Sequence, residues 1–211
     1  MAFTRGRIAE LLAPFLEGTP LSDRQLEAVG TYLDLLLKWN SKINLTAIRD
    51  PEEIITRHFG ESLFAARHLF PRSADSQSAI DLGSGAGFPG LPLKIWNEAL
   101  DLTLVESNQR KSVFLREVAR ALALRGVEVQ AERAEKLSAA ADLVIFRAVE
   151  RFEQILLPAQ RLMKPQGRLA LLIGDSQAQS AKDTLPDLRW EPPLHIPLSR
   201  NRSLRVGFAG S

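Results

Sequence analysis

Hydrophobic positions in the first seventy residues recur at helical spacing. The clearest run lies within residues 22–39, where apolar side chains return every three or four positions: Leu26, Val29, Leu33, Leu36 and Leu37. Ser22 and Gln25 have the spacing of a capping box, so we expect this helix to begin at Ser22. The segment that follows, WNSKINLTAIRD, is rich in polar residues and is predicted to be a connection.

A second helical segment is predicted to begin at Asp50-Pro51-Glu52-Glu53. This stretch combines an N-cap, a proline in the first turn and acids at the positive end of the helix dipole. We expect Gly60 to interrupt it before a further helix over residues 62–70. The polar stretch PRSADSQS is the best boundary candidate. It predicts an N-terminal helical extension over residues 1–72 and a second domain over residues 73–211.

Beyond this boundary the pattern changes to alternating strands and helices. Five short apolar runs are predicted strands: 79–82, 102–105, 127–131, 143–146 and 169–173. Three segments between them are predicted helices: 91–97, 109–124 and 152–163. Such alternation predicts an α/β fold with a doubly wound, mostly parallel, Rossmann-like sheet. Two last apolar runs, 194–198 and 204–208, are joined by an arginine-rich turn and predict an antiparallel pair at one edge.

Composition excludes several classes of protein. The chain has 211 residues, 45% of them hydrophobic and 25% charged, which is typical of a globular protein. No apolar run reaches the roughly 20 residues of a membrane span, and the N-terminus lacks the pattern of a signal peptide. Because cysteine is absent, we expect no disulfides, no thiolate metal site and a cytoplasmic location. No histidines and acids have metal-ligand spacing, so no metal is expected. The net charge of +2 permits nucleic-acid binding but does not argue for it.

A glycine-rich stretch, AIDLGSGAGFPG, follows the first predicted strand. A phosphate-binding loop of NTPases would need Lys and Ser or Thr after the last glycine, but Leu91 and Pro92 follow Gly90. The dinucleotide fingerprint would need a glycine at the position of Phe88. The remaining pattern, Asp81-x-Gly83-x-Gly85-x-Gly87, resembles that of class I methyltransferases that bind S-adenosylmethionine. The structural alternative is a tight turn between packed elements.

An acid is expected at the end of the second strand, where it would hold the ribose hydroxyls of the cofactor. The run LTLVES ends in Glu106, about twenty residues after the glycine loop, which is the distance that this role requires. Alone, Glu106 could equally be a solvated carboxylate at a strand end.

Longer motifs narrow the resemblance. They are WNSKINLTAIRD, ITRHFGESL, the Phe-Pro-Gly-Leu-Pro run after the glycine loop, Arg133-Ala134-Glu135 and Phe146-Arg147-Ala148-Val149. Together and in this order they resemble the RsmG family, also called glucose-inhibited division protein B, over residues 21–208. This resemblance implies a bacterial enzyme that uses S-adenosylmethionine to methylate the seven-position nitrogen of a guanine in 16S ribosomal RNA. It implies the small-subunit rRNA or the 30S subunit as partner.

The resemblance and the glycine pattern together assign candidate site residues. Those expected to bind the cofactor are Asp81, Gly83, Gly85, Gly87, Phe88, Glu106, Ala134, Glu135 and Arg147. Those expected in the catalytic pocket are Arg147, His58 and Arg133. Those expected to contact RNA are Arg57, Lys164, Arg200 and Arg202.

The chain departs from the family in one place. Where the family commonly has Lys-Gly after the fifth strand, this chain has Ile173-Gly174-Asp175. If that lysine holds RNA or the target base, Lys164 or Arg147 would have to replace it.

The chemistry needs no general base, because the seven-position nitrogen of guanine has a free lone pair and loses no proton. The chain also lacks the cysteine usual for methylating pyrimidine carbon-5 in RNA and the Asn/Asp-Pro-Pro-aromatic tetrad of exocyclic-amine methylation. Arg147 can hydrogen-bond the acceptor edge of guanine or hold a phosphate, or it can pair with Glu150 or Glu153. His58 can stack on a base or donate to RNA, or it can be an ordinary core or surface residue.

Four basic residues fall largely on one face of the predicted helix 109–124: Arg110, Lys111, Arg116 and Arg120. This is either a solvated face or a track for an RNA backbone. Two other functions stay open: a small-molecule methyltransferase with the helical extension as a lid, and a module that binds cofactor and RNA without catalysis. We expect a monomer.

Overall fold

The computed structural model describes residues 3–70, 77–147 and 151–210. Its centre is an eight-stranded sheet of order β3-β2-β1-β4-β5-β8-β6, with β7 also paired to β8. The strands are β1 (Ser78–Leu82), β2 (Asp101–Val105), β3 (Val127–Gln130), β4 (Ala141–Arg147), β5 (Met163–Gly174), β6 (Arg189–Trp190), β7 (Leu194–His195) and β8 (Arg202–Phe208). The first five strands are parallel, and β8 runs antiparallel to β5, β6 and β7. The predicted α/β fold with an antiparallel edge is confirmed.

Helices cover both faces of the sheet. They are α1 (Arg5–Leu16), α2 (Asp23–Asn40), α3 (Pro51–Ile54), α4 (Glu61–Leu69), α5 (Gly90–Trp96), α6 (Gln109–Ala121), α7 (Phe152–Arg161) and α8 (Asp175–Thr184). A π-helical segment, Ile55–Gly60, joins α3 to α4, and a 3-10 turn, Ala134–Lys136, follows β3. The capping box of Ser22 and Gln25 is present at the start of α2, as predicted.

Alternate residues of the central strands divide between two apolar clusters. On β4, Leu143 and Ile145 point into a cluster with α1, α2, α4, α5 and α6, whereas Val144 and Phe146 point into a cluster with α7 and α8. The N-terminal helices therefore share a core with helices of the sheet domain. The division at residues 72 and 73 lies outside the described residues and stays a prediction.

Gly60 does not interrupt the helix, so that expectation is wrong. The backbone continues from α3 through the π-helical segment into α4. A side chain at this position would place its Cβ 2.5 Å from Cε2 of Phe15. Gly60 is therefore required by the close packing of α1 rather than by a helix break.

Candidate active site

The glycine loop connects β1 to α5 at the carboxyl end of the sheet. Gly83, Gly85 and Gly87 have φ values of +67°, +56° and +90°, a region that residues with a Cβ rarely adopt. The backbone N–H groups of Gly83 and Ser84 donate to the carbonyl oxygen of Val105 at 2.8 and 3.0 Å. The loop is therefore held against the end of β2.

Gly85 and Gly87 have different surroundings. A Cβ at Gly85 would meet nothing closer than the Gly83 carbonyl oxygen, at 3.7 Å. A Cβ at Gly87 would collide with the Tyr32 hydroxyl and would lie 2.5 Å from Cδ1 of Leu91. Gly85 thus leaves space free for a ligand, whereas Gly87 allows close packing within the protein.

Two adjoining cavities lie beside this loop. The larger, of about 500 Å³, is lined by Gly83, Gly85, Phe88 and Glu106, and by His58 and Arg147 from other elements. The smaller, of about 300 Å³, is lined by Gly83 and Glu106 again, and by Arg133, Ala134 and Glu135. Most of the candidate residues thus border one crevice at the carboxyl end of the parallel strands, where open α/β sheets bind their ligands.

Glu106 is fixed by backbone donors. Its Oε2 accepts from the Gly85 N–H at 2.9 Å, and its Oε1 accepts from the Asn108 N–H at 2.7 Å. Each carboxylate oxygen has a second lone pair, so Glu106 can still accept from a ligand. Its carboxylate also orders the glycine loop, a role that the sequence did not indicate.

Asp81 lies beneath the loop and is fully buried. Its Oδ2 accepts from the Gly90 N–H at 3.0 Å, while Oδ1 has no hydrogen-bond partner among the described residues. Burial raises the pKa of Asp81 to about 7 from its ordinary value of 3.8, against the lowering effect of the hydrogen bonds to its carboxylate. The free oxygen leaves this carboxyl able to accept one more hydrogen bond.

His58 and Arg147 form a hydrogen-bonded pair. Nη2 of Arg147 lies 2.9 Å from Nδ1 of His58, and Nε2 of His58 lies 2.7 Å from Oγ1 of Thr46. An arginine can only donate, so Nδ1 is the acceptor and the proton of the neutral ring is on Nε2. Burial, followed by the charges of Arg147, Arg57 and Arg202, lowers the pKa of His58 to about 3. His58 is therefore neutral near pH 7.

Phe88 supports this pair from the glycine loop. The His58 ring stacks on Phe88 with centroids 4.9 Å apart, and the Arg147 guanidinium carbon lies 5.4 Å from the Phe88 centroid. Tyr32 also stacks on Phe88, at 5.3 Å, and its hydroxyl donates to the Ala86 carbonyl oxygen. An aromatic stack thus links α2, the loop and the pair.

The carboxylate beside Arg147 is Glu61, which sequence reasoning missed. Its side chain is only 3% exposed, lies 3.5 Å from Nη1 of Arg147 and also pairs with Arg202. Burial raises the pKa of Glu61, although the charges of the arginines oppose this. Of the two acids considered from sequence, Glu153 accepts from Ser180 at 3.0 Å, and Glu150 lies outside the described residues.

Arg147 has its fork held on several sides. Besides His58 and Glu61, it donates from Nη1 to the Arg57 carbonyl oxygen at 2.9 Å. This carbonyl and His58 both belong to the π-helical segment, which therefore provides two of the hydrogen-bond partners of Arg147.

Of the residues expected to contact RNA, Arg57 and Arg202 both lie near His58 and Glu61, whereas Lys164 lies at the other end of the strands. Arg57 pairs with Glu53 at 2.7 Å, Arg202 is engaged by Glu61, and Arg200 is exposed in the turn before β8. Lys164 pairs with Asp142 at 3.0 Å at the amino ends of β4 and β5. Asp142 precedes Arg147 by five strand residues, about 16 Å at ~3.3 Å each, so Lys164 cannot replace a lysine at the crevice.

Metal-binding groups and membrane spans are both absent from the part of the chain that the structure describes. Among those residues, no group of three or more histidines or acids is arranged to hold a metal ion. None of the helices seen in these ranges has the length and apolarity needed to cross a membrane.

Comparison with solved structures shows the fold. The chain superposes on a ribosomal protein L11 methylase from Lactobacillus delbrueckii subsp. bulgaricus with a TM-score of 0.62 and 11% identity, over 73% of this chain and 80% of that one. It superposes on M. jannaschii TYW2 in complex with AdoMet with a TM-score of 0.55 and 15% identity, over 70% of this chain and 75% of that one.

Comparison of sequences shows the family. The chain is 39% identical over 202 residues to a ribosomal RNA small subunit methyltransferase G from Chloroflexus aggregans, covering 90% of this chain and 84% of the relative. It is 41% identical over 145 residues to the protein of that name from Xanthomonas campestris pv. campestris, covering 68% of this chain and 66% of the relative. The family model described as rRNA small subunit methyltransferase G matches residues 25–190. The chain therefore belongs to the rRNA small subunit methyltransferase G family.

Proposed function

We propose that this chain transfers the methyl group of S-adenosylmethionine to the seven-position nitrogen of a guanine in 16S ribosomal RNA. The observation that carries the proposal is the crevice in which the glycine loop meets Arg147, in a chain of this family. A cytoplasmic location follows, because that compartment holds bacterial small-subunit rRNA. The monomeric state stays a prediction.

The crevice fits the cofactor in two respects. Gly85 exposes backbone without a side chain, and Glu106 offers carboxylate lone pairs at the shared wall of both cavities. We assign the ribose to Glu106 and the adenine to the wall formed by Ala134 and Glu135. When bound, S-adenosylmethionine supplies a methyl group on a sulfonium, which is a good leaving group.

Arg147 is the residue that we assign to the target base. Its hydrogen bonds to His58 and to the Arg57 carbonyl occupy Nη2 and Nη1. Arginine has five N–H donors, so others stay free to reach the six-position oxygen of guanine. Donation to that oxygen holds the base while it leaves the lone pair of the seven-position nitrogen open to the methyl group.

His58 is assigned a positioning role. A base is not needed, because the attacked nitrogen carries no proton. With a pKa of about 3 and both ring nitrogens engaged, His58 is suited to orient Arg147 rather than to exchange protons. Catalysis then rests on alignment, for which effective molarities can supply about 7–11 kcal/mol.

The test is transfer of a labelled methyl group from S-adenosylmethionine by the purified protein. Substrates are small-subunit rRNA, protein-free and assembled, from cells that lack this protein, with large-subunit rRNA as control. We expect label in the small-subunit rRNA alone. Label in neither form would contradict the proposal. It would then favour a small-molecule methyltransferase, or a silent module if cofactor and rRNA are still bound.

A further inference from the structure

A second surface groove lies beside the crevice, between the end of α2 and the beginning of α6. It has a volume of about 360 Å³. Its apolar surface is formed by Trp39, Ile43 and Val113, and its cationic surface by Lys38, Lys42 and Arg110. We call this surface the α2–α6 groove.

The side chains that line the groove carry a net positive charge. Glu117 is the one acid beside its three cations, and no ion pair among the described residues engages Lys38, Lys42 or Arg110. By contrast, Arg147 and Arg202 both pair with Glu61 within the protein. The groove therefore presents positive charge to an external partner.

The placement of two cations is unfavourable for the helix itself. Arg110 and Lys111 lie in the first turn of α6, which contains no acid. The positive end of a helix dipole favours acids at these positions and disfavours bases. Local stability does not explain this choice, whereas an anionic partner at this helix end does.

The apolar surface of the groove is unusually open. Val113 is 50% exposed, and Trp39 is half-buried, with its ring 5.7 Å from that of Phe114. An aromatic ring surrounded by unpaired cations is the arrangement with which proteins bind single-stranded nucleic acid, because bases stack on the ring while cations hold the phosphates. A purely apolar partner would leave these cations without charges to neutralise.

The groove is continuous with the active site along two segments. After α2, Lys42 and Ile43 line the groove, and Leu45 and Thr46 line the larger cavity. At the start of α6, Arg110 lines the groove and its neighbour Lys111 lines the cavity. A strand of RNA that leaves the crevice on this side would enter the groove directly.

We propose that the α2–α6 groove binds a single-stranded segment of the substrate rRNA adjacent to the target guanine. One base stacks on Trp39, and Lys38, Lys42 and Arg110 hold the neighbouring phosphates. The proposal rests on the proposed function for the identity of the RNA.

The first test replaces the charges. Lys38→Gln, Lys42→Gln and Arg110→Gln are combined, and binding of protein-free small-subunit rRNA is measured over a series of salt concentrations. We expect at least tenfold weaker binding at ~0.1 M salt and a salt slope smaller by about 2, since each phosphate contact contributes ~0.7–0.9 to the slope. Affinity for S-adenosylmethionine should not change.

A matched control removes the same charge elsewhere. Arg125→Gln, Arg161→Gln and Lys182→Gln alter exposed residues towards the amino ends of the strands, since Arg125 precedes β3 and Arg161 precedes β5. This variant should keep most of the affinity for rRNA. Equal losses in both variants would show a non-specific charge effect and would overturn the proposal.

The second test concerns stacking. Trp39→Phe keeps an aromatic ring against Phe114, and Trp39→Ala removes it. Binding of a labelled single-stranded oligoribonucleotide should fall about 5–150-fold for Trp39→Ala, which is the range for loss of one base–aromatic stack, and clearly less for Trp39→Phe. Unchanged binding by a folded Trp39→Ala variant would remove Trp39 from the site.

The outcomes separate this proposal from the proposed function. If the charge variant binds and methylates rRNA like the unaltered chain, the groove proposal fails and the function stands. If the unaltered chain binds rRNA through the groove but transfers no methyl group, the function fails and the groove stands. A loss of binding confined to assembled subunits would indicate a ribosomal protein as partner and would contradict RNA binding.

Discussion

Gly85 and Gly87 share a left-handed backbone but differ in what a side chain would meet. At Gly85 a Cβ would project beside the cavity without contacting protein more closely than 3.7 Å. We therefore expect Gly85→Val to abolish binding of S-adenosylmethionine, measured by calorimetry, in a chain that still folds. The reason is that the new methyl groups occupy the space of the ligand.

Gly18 provides the control for backbone strain. It has a φ of +77° in the turn after α1, and a Cβ at this position would have no atom within 4 Å. Gly18→Val should cost comparable stability and leave cofactor affinity intact. If folded Gly85→Val binds the cofactor as the unaltered chain does, the loop is not the cofactor site.

Arg147 is expected to act through its planar guanidinium, whose N–H donors have a fixed, forked arrangement. Lysine cannot reach the His58 ring and the Arg57 carbonyl together while also donating to a substrate. Arg147→Lys should retain cofactor affinity and lose methyl transfer by at least about tenfold. One hydrogen bond to a charged group is worth roughly 1.5–3 kcal/mol, and a tenfold change in rate needs only about 1.4 kcal/mol.

Arg168→Lys is a suitable control, since Arg168 also donates from a half-buried fork, to the Leu69 carbonyl and to Gln77. It should alter stability without a specific loss of transfer. For Arg147→Lys, a normal rate of methyl transfer with normal cofactor affinity would contradict the catalytic assignment. A parallel fall in cofactor affinity and in the rate of methyl transfer would show that Arg147 binds the cofactor.

The low pKa of His58 predicts a pH dependence of stability. Between about pH 6.5 and 3 the unfolded chain binds a proton at His58 that the folded chain does not, so this residue lowers the free energy of unfolding as the pH falls. His58→Gln should reduce this loss, measured by denaturant unfolding across pH 4–7. The raised pKa of Asp81, about 7, changes the free energy of unfolding in the opposite direction. This contribution is the same in the unaltered chain and in the His58→Gln variant.

The same variant tests the positioning role. His58→Gln should lower the rate of methyl transfer without changing the shape of its pH profile between pH 5.5 and 8. Disappearance of a titration limb near pH 6.5 would instead identify His58 as an acid or base.

At the scale of elements, the π-helical segment is held by the packing of α1. A Cβ on Gly60 would lie 2.5–2.8 Å from the Phe15 ring, so Gly60→Ala should destabilise the fold by ~1–3 kcal/mol. Gly30→Ala within α2 would meet only Ile8, at 3.4 Å, and should gain ~0.5–1 kcal/mol from helix propensity. Thermal unfolding of both variants checks the contrast. Equal stability changes would show that Gly60 is not a packing position.

Elements with strong periodicity could be predicted from sequence, and those formed by tertiary contacts could not. The parallel strands and α2 follow from apolar spacing and a capping box. By contrast, α8 buries only Ala178 and Ala181, so its sequence carries little helical signal. Gly60, in the π-helical segment, packs against Phe15, a residue far away in the chain.

The site shows the same division. The glycine loop and Glu106 could be predicted because their spacing within one β-α-β unit is local. Glu61 could not, since its role depends on Arg147 and Arg202 arriving from β4 and β8. From the sequence, Lys164 is a candidate to replace the family's lysine after the fifth strand. In the structure it lies at the beginning of β5, at the end of the strands opposite the crevice.

In the whole molecule, the residues assigned to ligands lie at one end of the strands and a structural ion pair lies at the other end. The crevice, Glu61 and the α2–α6 groove all lie towards the carboxyl ends of the strands, whereas Lys164 and Asp142 lie at the amino ends. The carboxyl ends thus combine the proposed cofactor site with cations that have no ion pair among the described residues, as expected of an enzyme that acts on RNA.

Nucleoside analysis of the methylated rRNA identifies the atom that receives the methyl group. Small-subunit rRNA from cells lacking this protein is incubated with the chain and labelled S-adenosylmethionine and digested to nucleosides, which are separated by chromatography because the isomeric methylguanosines have the same mass. We expect the label in 7-methylguanosine, in an amount that is strongly reduced with Arg147→Lys. Label in a methylated pyrimidine, an exocyclic amine or a ribose would contradict methylation of the seven-position nitrogen of guanine.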